Sequence, residues 1–521
     1  MLKKSVLSSL PIVNRFTHRF SGPSKSYFYN FEEPAQFPNP SLVAYSPEVL
    51  DLLNIEGSEV ENPLFTQIFS GTQVVDNSNP WAARYAGFQF GHWGGMLGDG
   101  RAVNIFELQS PNGIFNVQVK GTGPTLYSRG YDGRAVLRSC VREFLCSEAM
   151  SSLGVPTVRT LCLLLTGERV SRTMFGQLPQ MEPGAVVCRV SKSMIRFGSF
   201  EDLAFSNRKE EMKELLRFVI ENWFPHLESL STQDQAEKLL EEVAKETSSL
   251  MAQWTTLGFV HGVMNTDNMS ILSETIDYGP FGFLEEFDRE FTPNTTDLPS
   301  RRYAYGKQPF IAAWNLSNLA MALSALSEDP NPSPKGYSHF FNHYSGEEYR
   351  LFAKKLGFEE ISEDKFSPIV RSMVSFLKVS RADFTLFFQE LAEYKLEDLE
   401  RLEDCRGKVL DKILYTSPSE EVKSKFSDFI TLYSQSARNE KLSESSRIEL
   451  MQKTNPRYIL RNYILHNCIK DAEKGDYSTI KELQELSKNP FKKNLRFEKY
   501  YGRRPKEFDD VPGCSTLSCS S

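Results

Sequence analysis

Residues 259–284, which read FVHGVMNTDNMSILSETIDYGPFGFL, decide the fold of this chain. Two apolar residues predict a strand, residues 265–268 form a compact polar loop, and residues 269–272 predict a second short strand before an acidic turn at Asp277. Asp267 and Asn268, with the further carboxylate a hairpin away, are oxygen donors of the kind that Mg²⁺ prefers. Because Mg²⁺ takes few of its ligands from protein, such a site leaves room for phosphate.

The spacing in this stretch resembles the catalytic loop of protein kinases, H-R-D-x-x-x-x-N followed by D-F-G. Asn268 lies seven residues after His261, and residues 277–279 (DYG) stand in the position of D-F-G. The kinase base would fall two residues after the histidine, where this chain has Val263. The pattern indicates a site that binds Mg-nucleotide without the ordinary kinase base. The alternative is a simple turn rich in Asn and Asp.

Composition sets bounds on the function. The chain has 521 residues, enough for two or more domains. Its 60 basic and 67 acidic side chains give a net charge of −7, which argues against general nucleic-acid binding. No apolar run approaches the length of a membrane-spanning helix, so no membrane insertion is expected. The eight cysteines are scattered without a C-x-x-C pair, which is typical of a reducing compartment.

The N-terminus has a distinct composition. Residues 1–31 contain no Asp or Glu but carry the basic residues Lys3, Lys4, Arg15, Arg19 and Lys25. This composition predicts a mitochondrial transit peptide over residues 1–25, and hence a location in the matrix. The alternative is a disordered basic tail.

A glycine-rich stretch precedes two predicted strands. Residues 87–101 include Gly98, Gly100 and Arg101, and clustered glycines expose backbone N–H groups that can bind phosphate. Strands are predicted over residues 103–108 and 114–120. Alternation places Lys120 on the face opposite the apolar residues, where a kinase keeps its phosphate-binding lysine. The alternatives are a mobile surface loop and a solvated lysine at the end of a strand.

A predicted helix over residues 134–150 directs Glu143 inward, and Lys120 is the simplest partner for its carboxylate. The alternative is that Glu143 lies at the edge of the apolar stripe and reaches water. Arg189 and Arg196 follow in and after a predicted strand over residues 185–190. They could bind phosphate oxygens or serve as structural ion-pair partners. The Ser-rich end of the chain predicts a flexible tail that exposes Cys514 and Cys519.

These motifs together resemble the selenoprotein O family (YdiU-like proteins). The resemblance is carried by YAGFQFGHWGGMLGDGRA, KGTGPTLYSRGYDGRAVLRSCVREFLCSEAM, RVSKSMIRFGSFE, HGVMNTDNMSILSETIDYGPFGFLE and QPFIAAWNLSNLA. It implies an α+β fold like that of protein kinases, with two lobes. The expected divisions are a transit peptide (1–25), an N-terminal arm (26–80), a β-rich N-lobe (81–200), a helical C-lobe (201–430), and a C-terminal helical extension with a cysteine-containing tail (431–521).

The resemblance also implies roles for individual residues. Asp267 would be the catalytic base, and Asn268 and Asp277 would hold Mg²⁺, or Mn²⁺ in its place. Glu143 would be the structural partner of Lys120. ATP would be bound by Gly98, Gly100, Arg101, Lys120, Asp132, Gly133, Arg189, Arg196 and Asp277. Many animal members carry selenocysteine near the C-terminus, where this chain has Cys519, so a redox role for Cys514 or Cys519 is an expectation only.

The implied function is Mg²⁺-dependent transfer of AMP from ATP to Ser, Thr or Tyr hydroxyls of target proteins. ATP would lie flipped relative to kinases, and the activity would serve mitochondrial redox homeostasis. The expected partners are ATP and substrate proteins, with no nucleic acid, and the chain is expected to be a monomer. The alternatives are a catalytically inactive nucleotide-binding scaffold and ordinary phosphotransfer. Val263, which occupies the position of the kinase base, argues against phosphotransfer.

Overall fold

The structure is a computed structural model that describes residues 6–33, 35–173, 178–327, 337–509, 511–514 and 517–518. It combines an antiparallel sheet, formed by the first two-fifths of the chain, with a helical region that follows. The strands are β1 (Tyr29–Phe31), β2 (Ser41–Tyr45), β3 (Trp81–Ala83), β4 (Ala86–Gln89), β5 (His92–Met96), β6 (Ala102–Ser110), β7 (Gly113–Lys120), β8 (Ala135–Val136), β9 (Arg159–Arg172), β10 (Gln180–Ser191), β11 (Phe259–Val260) and β12 (Gly282–Phe283).

The helices make up most of the remaining structure. They are α1 (Arg15–Arg19), α2 (Pro47–Leu53), α3 (Pro63–Phe69), α4 (Leu137–Ser152), α5 (Phe197–Phe205), α6 (Lys209–Trp223), α7 (Thr232–Leu257), α8 (Gln308–Ser324), α9 (Phe340–Lys355), α10 (Glu363–Ser380), α11 (Phe384–Ala392), α12 (Leu396–Arg401), α13 (Glu403–Ile413), α14 (Glu420–Asn439), α15 (Glu444–Thr454), α16 (Asn462–Glu473) and α17 (Ser478–Ser487). None of the helices in the described ranges is long and apolar enough to cross a membrane.

The large sheet has the strand order β1-β3-β6-β7-β10-β9-β2, and β8 pairs with β10 beside this path. Its central strands are buried on both faces. Val186, Cys188 and Val190 of β10 pack in one apolar cluster with residues of α2 and α3. Ala185 and Val187 pack on the other side in a cluster that contains α4. The sheet therefore lies between two helical layers, and α4 is held against the face that also carries Lys120.

The long helix α7 delivers the chain to the central loop. The Ser231 side chain caps its first turn by accepting a hydrogen bond from the Asp234 N–H. The helix ends at Gly258, whose φ of 73° lies in the left-handed region that glycine adopts without strain. β11 follows at once and pairs with β12, so this small antiparallel sheet brackets residues 261–281.

The strand predicted over residues 269–272 is wrong. Ser270 forms only an isolated bridge with Arg196, and the partner of β11 comes later in the chain. The reason is local: residues 266–268 form a single 3-10 turn, and the residues that follow form no strand ladder. A short apolar run alone does not distinguish a strand from a buried irregular segment.

The basic N-terminal segment packs against the sheet. Phe16 stacks on Trp81 with ring centroids 4.6 Å apart, and Phe20 is 2% exposed within the same apolar cluster. The Arg15 guanidinium lies 3.1 Å from a carboxylate oxygen of Glu107, and the Phe16 N–H donates to the other oxygen at 2.7 Å. These contacts give Arg15, Phe16 and Phe20 structural roles in the folded chain.

The described residues near the C-terminus, 511–514 and 517–518, pack on the protein, so the prediction of an exposed thiol at Cys514 is wrong. Cys514 is a free thiol that is only 3% exposed, and burial raises its pKa to about 11. The Leu517 N–H donates to the Pro293 carbonyl at 2.9 Å, and the Thr295 N–H donates to the Leu517 carbonyl at 2.7 Å. This backbone pairing holds the tail on the protein, which its Ser-rich composition does not reveal. Cys519 lies outside the described residues.

Candidate active site

Lys120 ends β7 at the edge of a buried cluster of charges. Its ammonium lies 2.8 Å from a carboxylate oxygen of Glu143 in α4 and 2.8 Å from one of Asp277. Burial and the nearby Arg189 lower the pKa of Lys120, although both carboxylates oppose this shift. Burial would raise the pKa of Glu143, but Arg189 and Lys120 outweigh it and lower the pKa. The Lys120 ammonium thus bridges two carboxylates from separate segments of the chain.

Two arginines complete the cluster around Asp277. Arg189 of β10 donates to both Glu143 and Asp277, and to the Gln118 side chain at 3.2 Å. Arg196, at the start of α5, lies 3.3 Å from the second carboxylate oxygen of Asp277. Burial alone would raise the pKa of Asp277, but Lys120, Arg189 and Arg196 together hold it well below its ordinary value. Asp277 has a φ of 61°, a strained conformation often found at functional sites.

Asp99 is a member of this cluster that the sequence did not point to. It is 3% exposed and lies 3.6 Å from the Arg196 guanidinium. One carboxylate oxygen accepts from the Ala83 N–H at 3.1 Å and from the Gln118 amide at 3.2 Å. The only sequence signal was its position between the two glycines of the 98–100 loop. Asp99 lies beside the Nη2 of Arg196, whereas Asp277 lies beside its Nη1.

The loop after β11 is held by its own polar side chains. The His261 Nε2 contacts the Ile276 carbonyl at 2.7 Å, which joins the loop to the segment before Asp277. The Asn268 amide donates to the Val263 carbonyl at 3.0 Å, so its oxygen is directed away from that carbonyl, 3.5 Å from Arg196. Val263 brings no carboxylate to the site.

Asp267 is the buried carboxylate of this loop. It is 7% exposed, accepts from the Gln89 amide at 3.4 Å, and has one carboxylate oxygen without a hydrogen-bond partner. Burial raises the pKa of Asp267 to about 6, although Arg196 opposes the shift. A Cβ at Gly87 would lie 2.9 Å from the unpartnered oxygen, so only glycine lets β4 pack this closely. A carboxylate that is poorly satisfied and near neutrality suits proton transfer.

Comparisons with known proteins identify the family. The family model described as Protein adenylyltransferase SelO matches residues 12–488. A Protein nucleotidyltransferase YdiU of Azoarcus sp. (strain BH72) is similar to this chain, with 42% identity over 513 residues, 98% of this chain and 97% of that protein. A second YdiU, of Tolumonas auensis, is 43% identical over 498 residues, which cover 95% and 94% of the two chains. The chain belongs to the SelO family.

Membership of the SelO family makes the chain an enzyme, a protein adenylyltransferase, as the family description and the names of its relatives agree. Its substrates are therefore a nucleotide and a protein. The resemblance stated from the sequence motifs is confirmed, and the match extends over nearly the whole chain. The buried charge cluster around Asp277 is the candidate for the nucleotide site of this SelO family member.

The glycine-rich residues of this SelO chain lie beside Lys120. A Cβ at Gly98 would lie 2.3 Å from the Tyr127 ring, and one at Gly133 would lie 2.1 Å from the Gly123 carbonyl. Gly100 packs equally closely, with a Cβ there 2.8 Å from the Tyr127 carbonyl. The 98–100 loop and the 121–133 loop are thus pressed together, and both are next to the end of β7.

The remaining predicted nucleotide contacts differ in their surroundings. Arg101 is half-buried near Lys120, and its guanidinium makes no ion pair with any described residue. Asp132 instead binds Arg172 by two hydrogen bonds of 2.6 and 2.9 Å. Its side chain is half exposed, and its hydrogen bonds do not join it to Lys120 or Asp277. Arg101, Lys120, Arg189 and Arg196 thus lie in one region. The side chain of Asp132 is hydrogen-bonded to Arg172 instead.

The donors expected to hold a metal fit one. The Asn268 oxygen and one Asp277 oxygen lie 3.5 and 3.3 Å from the same nitrogen of Arg196, so the two oxygens are neighbours around one cationic group. Both are hard oxygen donors of the type that Mg²⁺ takes. The described residues contain no group of three or more His, Cys, Asp or Glu side chains that could enclose a metal. Two protein ligands leave the other positions to water and phosphate.

Proposed function

We propose that this SelO family member transfers AMP from ATP to Ser, Thr or Tyr hydroxyls of proteins, with Mg²⁺, in a kinase-like two-lobed fold. The observation that carries the proposal is the placement of carboxylates. Asp277 lies among Lys120, Arg189 and Arg196, as a nucleotide site requires. The kinase base position is Val263, and the carboxylate poised near neutrality is Asp267 instead.

The chemistry assigns one task to each group. The acceptor hydroxyl oxygen attacks the α-phosphorus of ATP, the bond from that phosphorus to the bridging oxygen breaks, and pyrophosphate leaves. Asp267 accepts the hydroxyl proton, which is the work of a general base. Lys120 and the two arginines offset charge that develops on the phosphate oxygens, and Arg101, which has no ion-pair partner among the described residues, serves the same purpose. A bound Mg²⁺ on Asn268 and Asp277 would neutralise further phosphate charge.

The flipped orientation of ATP is part of the same proposal, and the resemblance to the family is what implies it. Attack at the α-phosphorus requires that this phosphorus, and not the terminal one, face the acceptor beside Asp267. The location in the mitochondrial matrix, the link to redox homeostasis and the monomeric state stay predictions. Cleavage of a transit peptide near residues 20–25 would have to remove Phe16 and Phe20 from the core.

The decisive experiment incubates the protein and a protein acceptor with ATP labelled at the α- or the γ-phosphate. We expect label in protein from α-labelled ATP only. Label from the γ-position would indicate ordinary phosphotransfer, and label from neither would indicate a nucleotide-binding scaffold.

Two variants separate the roles of the acids. Asp267→Asn should leave Mg-ATP binding intact and slow transfer by about 10²–10⁴-fold, the usual contribution of a positioned base. Asp277→Asn should weaken Mg-dependent ATP binding as well, because it removes the partner of three cations. Asp476→Asn, at an exposed carboxylate far along the chain, is the control. Unchanged transfer by Asp267→Asn would rule out its role as the base.

A further inference from the structure

Glu201 is a buried carboxyl that the charge cluster does not use. It lies in α5 and is 0% exposed. α5 packs directly on β4 and on the loop that carries Asp267, and Gly198 permits this approach. A Cβ at Gly198 would lie 2.1 Å from the Ala86 carbonyl of β4. The carboxyl of Glu201 is therefore buried where α5 packs on β4 and on this loop.

One hydroxyl connects the three elements. The Phe88 N–H of β4 donates to the Thr266 Oγ1 at 2.8 Å, and that hydroxyl donates to a carboxyl oxygen of Glu201 at 2.6 Å. The Thr266 hydroxyl accepts from the backbone N–H with one lone pair, which leaves its own hydrogen available for Glu201. This hydroxyl therefore links Glu201 to the backbone of β4. Thr266 immediately precedes Asp267 and is itself 0% exposed.

Glu201 lacks the partner that a buried carboxylate requires. It forms no ion pair within the described residues, and its second oxygen has no hydrogen-bond partner. The charged group that acts on it is Asp267, which repels a negative charge. Burial raises the pKa of Glu201 to about 8, in keeping with a neutral acid at pH 7. A neutral carboxyl accepts the threonine hydrogen bond without placing a second negative charge beside Asp267.

We propose that Glu201 is a positioning residue for AMP transfer, which acts through the Thr266 hydroxyl to hold Asp267 in place against β4. The proposal rests on the role of Asp267 as the base. Without the acceptor at Glu201, the Thr266 hydroxyl turns to another partner, the Phe88 N–H loses its fixed acceptor, and Asp267 is free to shift. A displacement of a catalytic group by about 1 Å can cost about 10²-fold in rate.

The test compares matched pairs of variants. Glu201→Gln and Thr266→Ser keep the hydrogen bond, whereas Glu201→Leu and Thr266→Val remove it at nearly constant volume. We expect the first pair to retain kcat within about threefold. We expect the second pair to lose about 10–100-fold in kcat, with the KM for ATP nearly unchanged, because neither residue contacts the phosphate-binding cations. The double variant Glu201→Leu/Thr266→Val should be no slower than the slower single variant.

Several results would overturn the proposal. One is a kcat for Glu201→Gln as low as that for Glu201→Leu, because the ionisable carboxyl and not the hydrogen bond would then be what matters. Another is additive loss in the double variant, or normal kcat in both Glu201→Leu and Thr266→Val. If Glu201→Leu fails to fold, the kcat of Thr266→Val decides. Failure of the base itself is a separate result, because it appears as unchanged transfer by Asp267→Asn.

Discussion

Lys120 shows how a single side chain can matter for chemistry more than for stability. Its ammonium lies between Glu143 and Asp277, but Arg189 also binds both carboxylates. In Lys120→Ala neither acid is left without a counter-charge, so we expect a small change in Tm. AMP transfer should fall by about 10²-fold or more, because a preorganised cation for the phosphates is lost. Lys192→Ala, at an exposed lysine of the same region, is the control. Full transfer by Lys120→Ala would remove the residue from the mechanism.

Glu201 makes a distinct prediction about pH. Its pKa is raised to about 8 in the folded protein, whereas an unfolded glutamate loses its proton near pH 4.5. Between these values the folded state binds the extra proton, so this group stabilises the protein fully at low pH and the benefit is lost as pH rises toward 8. Glu201→Gln removes the effect. Its Tm should gain on that of the unchanged protein as pH increases from 5 to 8, and parallel Tm curves would contradict the shift.

Among the elements of the fold, the N-terminal segment that contains α1 is expected to contribute to thermal stability. α1 and the residues around it place Phe16 and Phe20 in the main apolar cluster, and Arg15 binds the buried Glu107. A chain that begins at residue 26 should therefore lose several °C in Tm, because two buried aromatic rings and an ion pair are removed. Arg19→Ala, at a partly exposed ion pair with Glu221, is the control and should change Tm little. A truncated chain of undiminished Tm would show that the segment is dispensable.

The same segment shows where prediction from sequence stops. A transit peptide and a basic segment that packs on the protein can both lack acidic residues. The composition of the segment alone therefore does not distinguish them. The acid that explains Arg15 is Glu107, on a strand of the sheet. Likewise, residues 269–272 have the apolar pattern of a strand, yet they lie beside a 3-10 turn and find only one bridge partner. The local sequence pattern does not show which residues that are far apart in the chain will be neighbours in the fold.

Across the whole molecule, residues that follow a periodicity or a spacing could be predicted to meet. Strand alternation and helix phase directed Lys120 and Glu143 toward each other, and the structure places them in contact. Asp99 and Glu201 could not be found in this way. The partners of Asp99 come from separate segments of the chain, and Glu201 depends on a hydroxyl in the loop after β11. Their importance arises only when α5, β4 and the sheet are assembled.

The docked end of the chain has a consequence for protein synthesis. Leu517 binds Thr295, which lies 222 residues earlier. The neighbouring Asn294 side chain donates to the Gly262 carbonyl at 3.0 Å, at the start of the loop that carries Asp267. A ribosome that adds about 5–20 residues per second needs roughly 11–44 s to cover that interval. For that time the segment around Asn294 lacks its backbone bridge to Leu517. We therefore expect the segment at Asn294 and the loop that it contacts to reach their final packing only after Leu517 has been added.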